Sequence, residues 1–445
     1  MPISPARTAA FEILLRVDRE SAFASDLLHS AHCQVLSGAD HRLATELVMG
    51  VVRWRSWLDR EIANRSSLSL DKLDPEVLTS LRLATYQLIF LDRVPQRAAI
   101  HESVDLVKRA RKSSAAAFTN AVLRKLASAK VRTPAPSVHK EDSTAAELAD
   151  GFAHPEWLVA RWIREFGISA TRHICSYDQQ IPAMMVSILE PALVAELQKE
   201  GITLEPGHVL ASSRRVIAGD LTRTRAFLER RVVIQDEASH LVALLVGHGS
   251  RILDCCAAPG GKTRALAERN PSASILAAEL HPHRARLLRK LVSRNNVQVI
   301  AADTCGLPTI ALFDRVLADV PCSGTGTLAR NPEIKWRLKP EDLLDLQARQ
   351  LSILQSAMQR LAVGGRLVYS TCSLEKEENI EVVEQALAAD ASFRRLDCRE
   401  QLEQLRAQGE LIWKDLDSLI RGAYLRTIPG IHPCEGFFAA ILQKI

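Results

Sequence analysis

The sequence predicts a multidomain fold: an all-α N-terminal domain, a small α+β middle subdomain and a C-terminal α/β domain with a Rossmann-like, doubly wound sheet. The chain has 445 residues, which is more than one hydrophobic core ordinarily organises. Its first 130 residues repeat apolar side chains at helical spacing. From residue 231 short apolar runs alternate with loops and helices, which is typical of a parallel sheet.

Residues 1–130 are predicted to be consecutive amphipathic helices. The run PARTAAFEILLRV puts Phe11, Leu14 and Leu15 on one apolar stripe, and Asp74 and Pro75 mark the start of another helix. This segment holds 19 basic and 14 acidic residues, and the rest of the chain is balanced. The surplus fits contact with an anionic polymer. The alternative is an ordinary solvated helical surface.

Residues 131–150 are predicted to be a linker, because VRTPAPSVHKEDST is rich in proline, serine and charge and has no periodicity. Residues 151–230 are predicted to form the small subdomain. It would begin with the helix PEWLVARWIREFG and continue with a strand at PAMMVSILE.

Residues 231–445 carry the strand and helix rhythm of the third domain. RILDCCAAPGGKTRALAERN is predicted to be a strand, a glycine turn and a helix. The further predicted strands are ASILAAEL, VQVIAAD, DRVLADVPC, GGRLVYSTC and the final EGFFAAILQK. In such sheets ligands bind beyond the carboxyl ends of the strands.

The loop after the first of these strands is a candidate ligand site. It has neither the GxGxxG nor the P-loop spacing, but two adjacent glycines let the backbone approach a ligand closely. Glu279 ends the next strand, where it can accept hydrogen bonds from a ribose, and Asp303 follows the third strand, where it can hold an adenine amino group. This pattern suits an adenosine without pyrophosphate, such as S-adenosylmethionine. For each acid alone, the alternative is a surface carboxylate at a strand end.

Composition limits the other classes. The nine cysteines are scattered without CxxC pairs, which argues against a disulfide framework and against a zinc site, so we expect no metal. We see no secretion signal and no apolar run long enough to span a membrane. We therefore expect a cytoplasmic protein with reduced thiols, and a monomer, because no segment is an obvious dimer seam.

Four motifs in order, LDCCAAPGGKT, DVPCSGTG, RNPEIKW and STCS, resemble the RNA cytosine-5 methyltransferase family. With a helical N-terminal domain similar to the antitermination factor NusB, the chain resembles the bacterial Sun/RsmB branch, which methylates 16S ribosomal RNA. The resemblance covers essentially the whole chain. It implies a class I methyltransferase domain, S-adenosylmethionine as cofactor and 16S rRNA as partner.

The resemblance also assigns roles to two thiols. Cytosine C5 is a poor nucleophile, so a thiolate adds to C6 and activates C5. In the family pattern Cys372 is the attacking thiolate and Cys322 assists product release, while Asp319 binds the N3/N4 edge of the cytosine. The alternatives for the cysteines are inert buried thiols or a structural bridge between them.

The resemblance assigns the cofactor-binding residues too. Lys262 would approach the methionine carboxylate or the reacting base, and Arg284 would lie near the cofactor ribose; a surface residue of a helix is the alternative for each. The segment VIQDEASHL would shape the edge of the pocket. The residues that the resemblance places around the cofactor are Cys256, Ala257, Ala258, Pro259, Gly260, Gly261, Lys262, Glu279, Arg284, Asp303 and Asp319.

The segment ARNPEIKWRLKP mixes basic and aromatic groups, among them Lys335, Trp336 and Arg337, which suits a flipped, single-stranded substrate. Packing of Trp336 in a core is the alternative. Two residues depart from the family pattern. Glu279 stands where aspartate is common, and Val320 stands where alanine is usual.

Three other functions compete with methylation of 16S rRNA. DNA cytosine methylation uses the proline–cysteine thiol as nucleophile and does not need a second thiol in a TCS setting, so two thiols argue against it. A tRNA substrate with the same chemistry stays open. So does a non-catalytic RNA-binding factor in ribosome assembly, although Lys262, Asp319, Cys322 and Cys372 in their motifs speak against a decayed domain.

Overall fold

The computed structural model describes residues 3–20, 22–30, 33, 35–129, 131, 133–134, 143–188, 190–292, 294–307 and 309–445. The chain divides into two compact units. Unit 1 consists of Met1–Ile181 and Leu328–Leu338, and unit 2 of Pro182–Thr327 and Lys339–Ile445. The segment predicted as one subdomain, 151–230, is thus divided between the two units.

Unit 1 is all-helical in its described residues, as the apolar periodicity predicts. Phe11 and Leu14 are buried in its core, and Pro75 opens its helix with Asp74 at the N-cap position. Asp74 makes no capping hydrogen bond; its carboxylate binds Lys112 Nζ at 2.9 Å instead. The helices up to residue 128 are Pro5–Glu20, Ala24–Leu28, Gly38–Arg53, Arg55–Ala63, Pro75–Phe90, Gln96–Arg109 and Ala116–Ser128.

The predicted linker, 131–150, is only partly described, since residues 132 and 135–142 lie outside the described residues. Its end is helical. Thr144 and Glu147 form a capping box, which satisfies two backbone N–H groups and starts the helix Ala145–Gly151. The helical stretch Glu156–Asp178 follows, and Gly167, with φ 82°, interrupts it at the end of the helix that PEWLVARWIREFG predicts.

Leu328–Leu338 is a distant part of the sequence that completes unit 1. Glu333 accepts a hydrogen bond from the backbone N–H of Ala24 at 2.7 Å, and Trp336 donates its indole N–H to the carbonyl of Val52 at 2.7 Å. Trp336 packs against the main helical core of this unit. The alternative that Trp336 packs in a core is therefore confirmed.

Lys335 lies inside unit 1 among other titratable groups. It is 1% exposed, so the interpretation of this lysine as an RNA contact is wrong. Its Nζ has no hydrogen-bond partner among the described residues, and burial lowers its pKa to about 7 against the opposing attraction of Asp178. Burial raises the pKa of Asp178 to about 8, and the carboxyl lies 3.2 Å from Nε2 of His154.

Unit 2 begins with a small antiparallel sheet of order β2-β3-β1-β4, which includes the strand predicted at PAMMVSILE. Its strands are β1 (Met184–Ser187), β2 (Thr203–Pro206), β3 (Ser213–Ala218) and β4 (Val233–Ile234). The helices Ala192–Lys199 and Arg225–Leu228 accompany it, and their apolar side chains share one cluster with those of the strands.

The second sheet of unit 2 has nine strands in the order β11-β12-β13-β9-β8-β5-β6-β7, with β10 paired to β13. The strands β5 to β9 are parallel to their neighbours among themselves, and the last strands are antiparallel. They are β5 (Arg251–Asp254), β6 (Ser274–Glu279), β7 (Val297–Ala301), β8 (Phe313–Asp319), β9 (Leu361–Thr371), β10 (Phe393–Leu396), β11 (Ile420–Arg421), β12 (Tyr424–Thr427) and β13 (Phe437–Lys444).

The doubly wound α/β class is confirmed, since β5 is paired to β6 on one side and to β8 on the other. Three apolar clusters contain the inward side chains of these strands and of their helices. The carboxyl ends of β5 to β9 carry or precede the candidate residues. The helices are Glu237–Val246, Gly261–Arg269, Pro282–Val292, Asp342–Gln359, Ile380–Ala389 and Cys398–Ala407. Among the described residues no helix is long and apolar enough to cross a bilayer.

Candidate active site

The loop between β5 and the helix Gly261–Arg269 has the form that its two glycines predict. Gly260 has φ 119°, and a Cβ at this position would lie 2.8 Å from Leu288 and 2.9 Å from Val292. A side chain is therefore excluded both by the backbone conformation and by the close neighbours. Gly261 follows beside Gln235, from the run that predicts the edge of the pocket.

Asp254 at the end of β5 is a site residue that the sequence reasoning missed. Its Oδ2 accepts a hydrogen bond from Thr263 at 2.7 Å, and its buried Oδ1 has no partner within the described residues. Burial raises the pKa of Asp254 to about 7. The sequence does carry a signal for it, because Asp254 is an acidic residue at the end of an apolar strand, and Glu279 is selected for the same reason. Burial also raises the pKa of the next thiols, Cys255 and Cys256, and keeps them protonated.

The two acids predicted to hold an adenosine lie after β6 and β7. Glu279 accepts the backbone N–H of His281 at 2.9 Å through Oε1, and Arg284 lies 3.9 Å from the same oxygen. Asp303 accepts the backbone N–H of Cys305 at 2.9 Å through Oδ1. In the described part of the chain, the second oxygen of each carboxylate has no hydrogen-bond partner, so each carboxylate keeps an acceptor for a ligand.

Asp319 and Lys262 form an ion pair where β8 ends. Lys262 Nζ lies 2.7 Å from Asp319 Oδ2 and 4.8 Å from the ring centre of Phe437, while Ser370 donates to Asp319 Oδ1 at 2.7 Å. Burial works to lower the pKa of Lys262. The carboxylate of Asp319, and after it Cys372, outweigh this effect, so the pKa lies above its ordinary value and the lysine is a cation.

The thiols of Cys322 and Cys372 lie 3.3 Å apart, although 50 residues separate them in the sequence. β8 and β9 are neighbouring parallel strands, and each thiol follows the end of one of them. Both are free and partly buried. The hydrogen bond to Cys372 raises the pKa of Cys322, and burial and the charge of Cys372 add to it. The pKa of Cys322 therefore lies well above its ordinary value, so this thiol keeps its proton at neutral pH.

A buried carboxylate lies behind the two thiols. Glu378 is fully buried and accepts hydrogen bonds from Ser323 and Ser373, the residues after Cys322 and Cys372. The sequence reasoning missed it, although the acidic run EKEEN stands just past the TCS motif. No group of three or more side chains that could hold a metal ion occurs among the described residues.

Two family models match the chain. Residues 4–128 match the NusB family, and residues 241–443 match the model described as 16S rRNA methyltransferase RsmB/F. Over its whole length the chain is 32% identical to the Bacillus subtilis protein named "Probable ribosomal RNA small subunit methyltransferase B", with 100% of each chain covered. The chain belongs to the RsmB/F methyltransferase family. This confirms the resemblance that its four motifs predict.

Further relatives of this RsmB/F family member support the same family assignment. The ribosomal RNA small subunit methyltransferase B of Pseudomonas syringae is 32% identical over 392 residues, which are 82% of this chain and 83% of that protein. Among solved structures, PH0851 has a TM-score of 0.80 at 22% identity and covers 100% of both chains. A methyltransferase homolog from Pyrococcus horikoshii has a TM-score of 0.56 at 23% identity, over 68% of this chain and 100% of its own. At these identities the likeness concerns the fold.

Proposed function

We propose that this protein transfers a methyl group from S-adenosylmethionine to C5 of a cytosine in 16S ribosomal RNA, through a covalent bond between Cys372 and C6 of the base. The observation that supports it most is the pair of thiols 3.3 Å apart beside the Lys262–Asp319 ion pair. A single nucleophile needs no second thiol within contact distance. A reaction that must first form and then break a C–S bond has a use for both.

The residues after β5, β6 and β7 fit the cofactor. The residue Gly260 has no room for a Cβ, and Glu279 and Asp303 each retain an acceptor oxygen suited to ribose hydroxyls and an adenine amino group. When bound there, S-adenosylmethionine supplies an electrophilic methyl group on a sulfonium. No phosphate-binding loop is needed, in keeping with the absence of a P-loop spacing in the sequence.

Cys372 is the nucleophile in this proposal. Its sulfur lies in hydrogen-bond contact with that of Cys322 at 3.3 Å, and Cys372 is among the charges that raise the pKa of Lys262. A cation beside a thiolate favours the ionised form. The thiolate would form a bond with C6 of the flipped base, and the C5–C6 double-bond pair would move to C5, which makes C5 nucleophilic enough to take the methyl group from a sulfonium.

Asp319 would hold the cytosine edge during this addition. Its two oxygens are fixed by Ser370 and Lys262, so the carboxylate has one orientation before the base arrives. Electron density moves towards N3 as C6 is attacked, and a carboxylate that binds the N3/N4 edge stabilises a proton on N3. Uracil presents the opposite donor pattern there, so the same carboxylate selects cytosine.

Cys322 would act after the methyl transfer. Once Cys372 is a thioether, it no longer bears a charge and no longer accepts the S–H of Cys322, so the largest cause of the raised pKa of Cys322 disappears. The Cys322 thiol can then lose its proton to solvent. Its thiolate removes the C5 proton, the C5–C6 double bond forms again, and the C6–S bond breaks to return Cys372 as a thiolate.

The RNA substrate is supported by the family. The matching model is described as a 16S rRNA methyltransferase, the curated relatives carry names of ribosomal RNA small subunit methyltransferases, and residues 4–128 match the NusB family. The basic surplus of residues 1–130 lies in that same part of the sequence. A tRNA substrate and a non-catalytic RNA-binding role are the competing outcomes of the test.

The test is methyl transfer from labelled S-adenosylmethionine to unmethylated 16S rRNA and, separately, to tRNA, with mapping of 5-methylcytosine. Cys372→Ala is expected to abolish transfer, because no thiolate reaches C6. Cys322→Ala is expected to accumulate a protein–RNA adduct that survives denaturant, because nothing removes the C5 proton. Cys305→Ala is the matched control, since that thiol is exposed and contacts the hydroxyl of Ser352.

Each result has a distinct meaning. Transfer to 16S rRNA alone, with the adduct confined to the Cys322 variant, supports the proposal in full. Transfer to tRNA alone supports the proposed reaction but contradicts 16S rRNA as its substrate. If the wild-type protein binds RNA but methylates neither substrate, the protein is a binding factor and the proposed reaction is wrong.

A further inference from the structure

Glu378 is a buried carboxylate next to the thiol pair, and the mechanism above gives it no role. It lies in the short helical turn Lys376–Glu378, six residues after Cys372, and its relative exposure is 0%. A carboxylate removed from water is costly unless hydrogen bonds replace its hydration. Its hydrogen-bond partners therefore decide what it is for.

Four donors surround the carboxylate. Its Oε1 accepts the backbone N–H of Ser323 at 2.7 Å and the side-chain amide of Gln350 at 2.8 Å. Its Oε2 accepts the hydroxyls of Ser323 and Ser373. The two hydroxyls also lie 3.0 Å from one another, within hydrogen-bond distance, so both serines contact each other as well as the carboxylate.

The two serines that bind Glu378 are the sequence neighbours of the two cysteines, which connects this network to the thiol pair. Ser323 directly follows Cys322, and Ser373 directly follows Cys372. One carboxylate thus joins the turn after β8 to the turn after β9 at the residues next to the two sulfurs. Two other hydrogen bonds also join these turns, but they start farther along the chain from Cys322. The N–H of Gly326 donates to the carbonyl of Cys372, and the N–H of Leu374 donates to the hydroxyl of Thr325.

The charge of Glu378 acts on one thiol in particular. It adds to the causes that raise the pKa of Cys322, after the hydrogen bond to Cys372, burial and the charge of Cys372. A neutral residue of the same shape would leave the turns joined in part but would not act on that thiol through space. Geometry and charge therefore make separate, measurable contributions.

We propose that Glu378 is the positioning residue that holds Cys322 and Cys372 at contact distance, through its hydrogen bonds to the serine after each of them. The role of this positioning in the reaction rests on the proposed function, whereas the contacts of Glu378 do not depend on it. The residue touches neither substrate nor cofactor in this proposal. It acts through the two serines.

The first experiment measures the thiol pair without RNA or cofactor. Diamide oxidises two adjacent thiols to a disulfide and takes up their two hydrogens as the hydrazine. In the wild-type protein we expect rapid coupling of Cys322 to Cys372, read by peptide mapping. In Glu378→Gln we expect coupling about 10–100-fold slower, because a charge-assisted network is lost and the sulfurs separate. Glu381→Gln, an acid of the same segment that binds Gln347 and Lys376, is the matched control and should couple at the wild-type rate.

The second experiment separates charge from packing. The pH midpoint for alkylation of Cys322 by iodoacetamide should fall in Glu378→Gln, since the negative charge that raises its pKa is gone. Glu378→Asp keeps the charge and should restore the wild-type midpoint. A merely structural carboxylate would not move this midpoint when replaced by its amide.

Methyl transfer to 16S rRNA links the inference to the reaction. Glu378→Gln should lower kcat about 10–100-fold with an unchanged KM for S-adenosylmethionine. If Glu378→Gln does not fold, Ser323→Ala and Ser373→Ala each remove one arm of the network and should slow the coupling. Wild-type coupling and alkylation in all of these variants would overturn the inference. If the wild-type protein couples its thiols as expected but methylates no RNA, the proposed function fails and the positioning role stands.

Discussion

Substitution of Lys335 by methionine is expected to stabilise the protein, although it removes a charged residue from a family motif. Lys335 is 1% exposed, and its Nζ has no hydrogen-bond partner among the described residues. Methionine keeps most of the aliphatic volume and removes the ammonium. The ammonium lies 5.1 Å from the ring centre of Trp336, and a cation–π contact of this kind replaces only part of the lost hydration, so an apolar side chain of similar size avoids a net cost.

The magnitude follows from the pKa of Lys335. Burial lowers this pKa from 10.5 to about 7, and each unit corresponds to about 1.4 kcal/mol, so the penalty approaches about 5 kcal/mol as an upper limit. Relaxation of the core reduces it, and we expect a gain of about 1–4 kcal/mol near pH 7. For a unit of this size, that is about 2–4 °C in Tm per kcal/mol.

The pH dependence has a defined sign. A group whose folded-state pKa is depressed contributes its stability above the unfolded pKa and loses it as the pH falls through the folded pKa. For Lys335 this window runs from 10.5 down to about 7. The advantage of Lys335→Met is therefore largest below pH 7 and shrinks towards pH 10. Burial raises the pKa of Asp178 to about 8, and its ionisation at higher pH adds to the loss of this advantage, because in Lys335→Met only Arg53 among the described residues would still counter the charge of the carboxylate.

The assay is thermal and urea unfolding of the full-length protein at pH 6, 7.5 and 9, monitored by tryptophan fluorescence. Lys72→Met is the matched control, because Lys72 is exposed in the same unit and its replacement should leave Tm within about 1 °C. A lower Tm for Lys335→Met at pH 6, with the same pH slope as the wild type, would refute the reasoning. It would mean that the buried ammonium is compensated by its surroundings.

Three further predictions concern single residues. Trp336→Phe removes the hydrogen bond to the carbonyl of Val52 and should lower the free energy of unfolding by about 1–2 kcal/mol in urea titrations; an unchanged value would contradict its role. Gly260→Ala should abolish S-adenosylmethionine binding in calorimetry because its φ is 119° and its neighbours are close, whereas Gly306→Ala, with open space around it, should bind normally. In Asp254 the folded pKa, about 7, lies above the ordinary 3.8, so its contribution to stability is present below pH 3.8 and is lost as the pH rises through 7. Asp254→Asn should flatten this fall in stability between pH 4 and 7, and a slope equal to that of the wild type would speak against it.

The sheet and the two thiols could be predicted because their signals are local. Cys322 and Cys372 each follow an apolar run too short for a helix, and parallel strands bring such ends to one edge of a sheet. Glu279 and Asp319 follow from the same argument. The sequence analysis could have extended it to Asp254, which also ends an apolar strand.

The remainder depends on tertiary structure. The run EKEEN contains three glutamates, and only the packed fold shows that Glu378 is the one that turns towards the serines of both cysteine turns. Lys335 and Trp336 belong to a basic and aromatic segment whose composition suits RNA as well as a core. Burial decides between the two, and burial here comes from helices of Met1–Ile181, far away in the sequence.

The divided origin of unit 1 has a consequence for how the chain is made. Ribosomes add about 5–20 residues per second, so Leu328–Leu338 is synthesised about 7–30 s after the helices of Met1–Ile181 that it completes. During that interval the apolar surface of the helical core against which Trp336 packs is not covered by this residue. A fragment that ends at residue 181 keeps this defect permanently. Unit 1 is therefore complete only after part of the methyltransferase region has been translated.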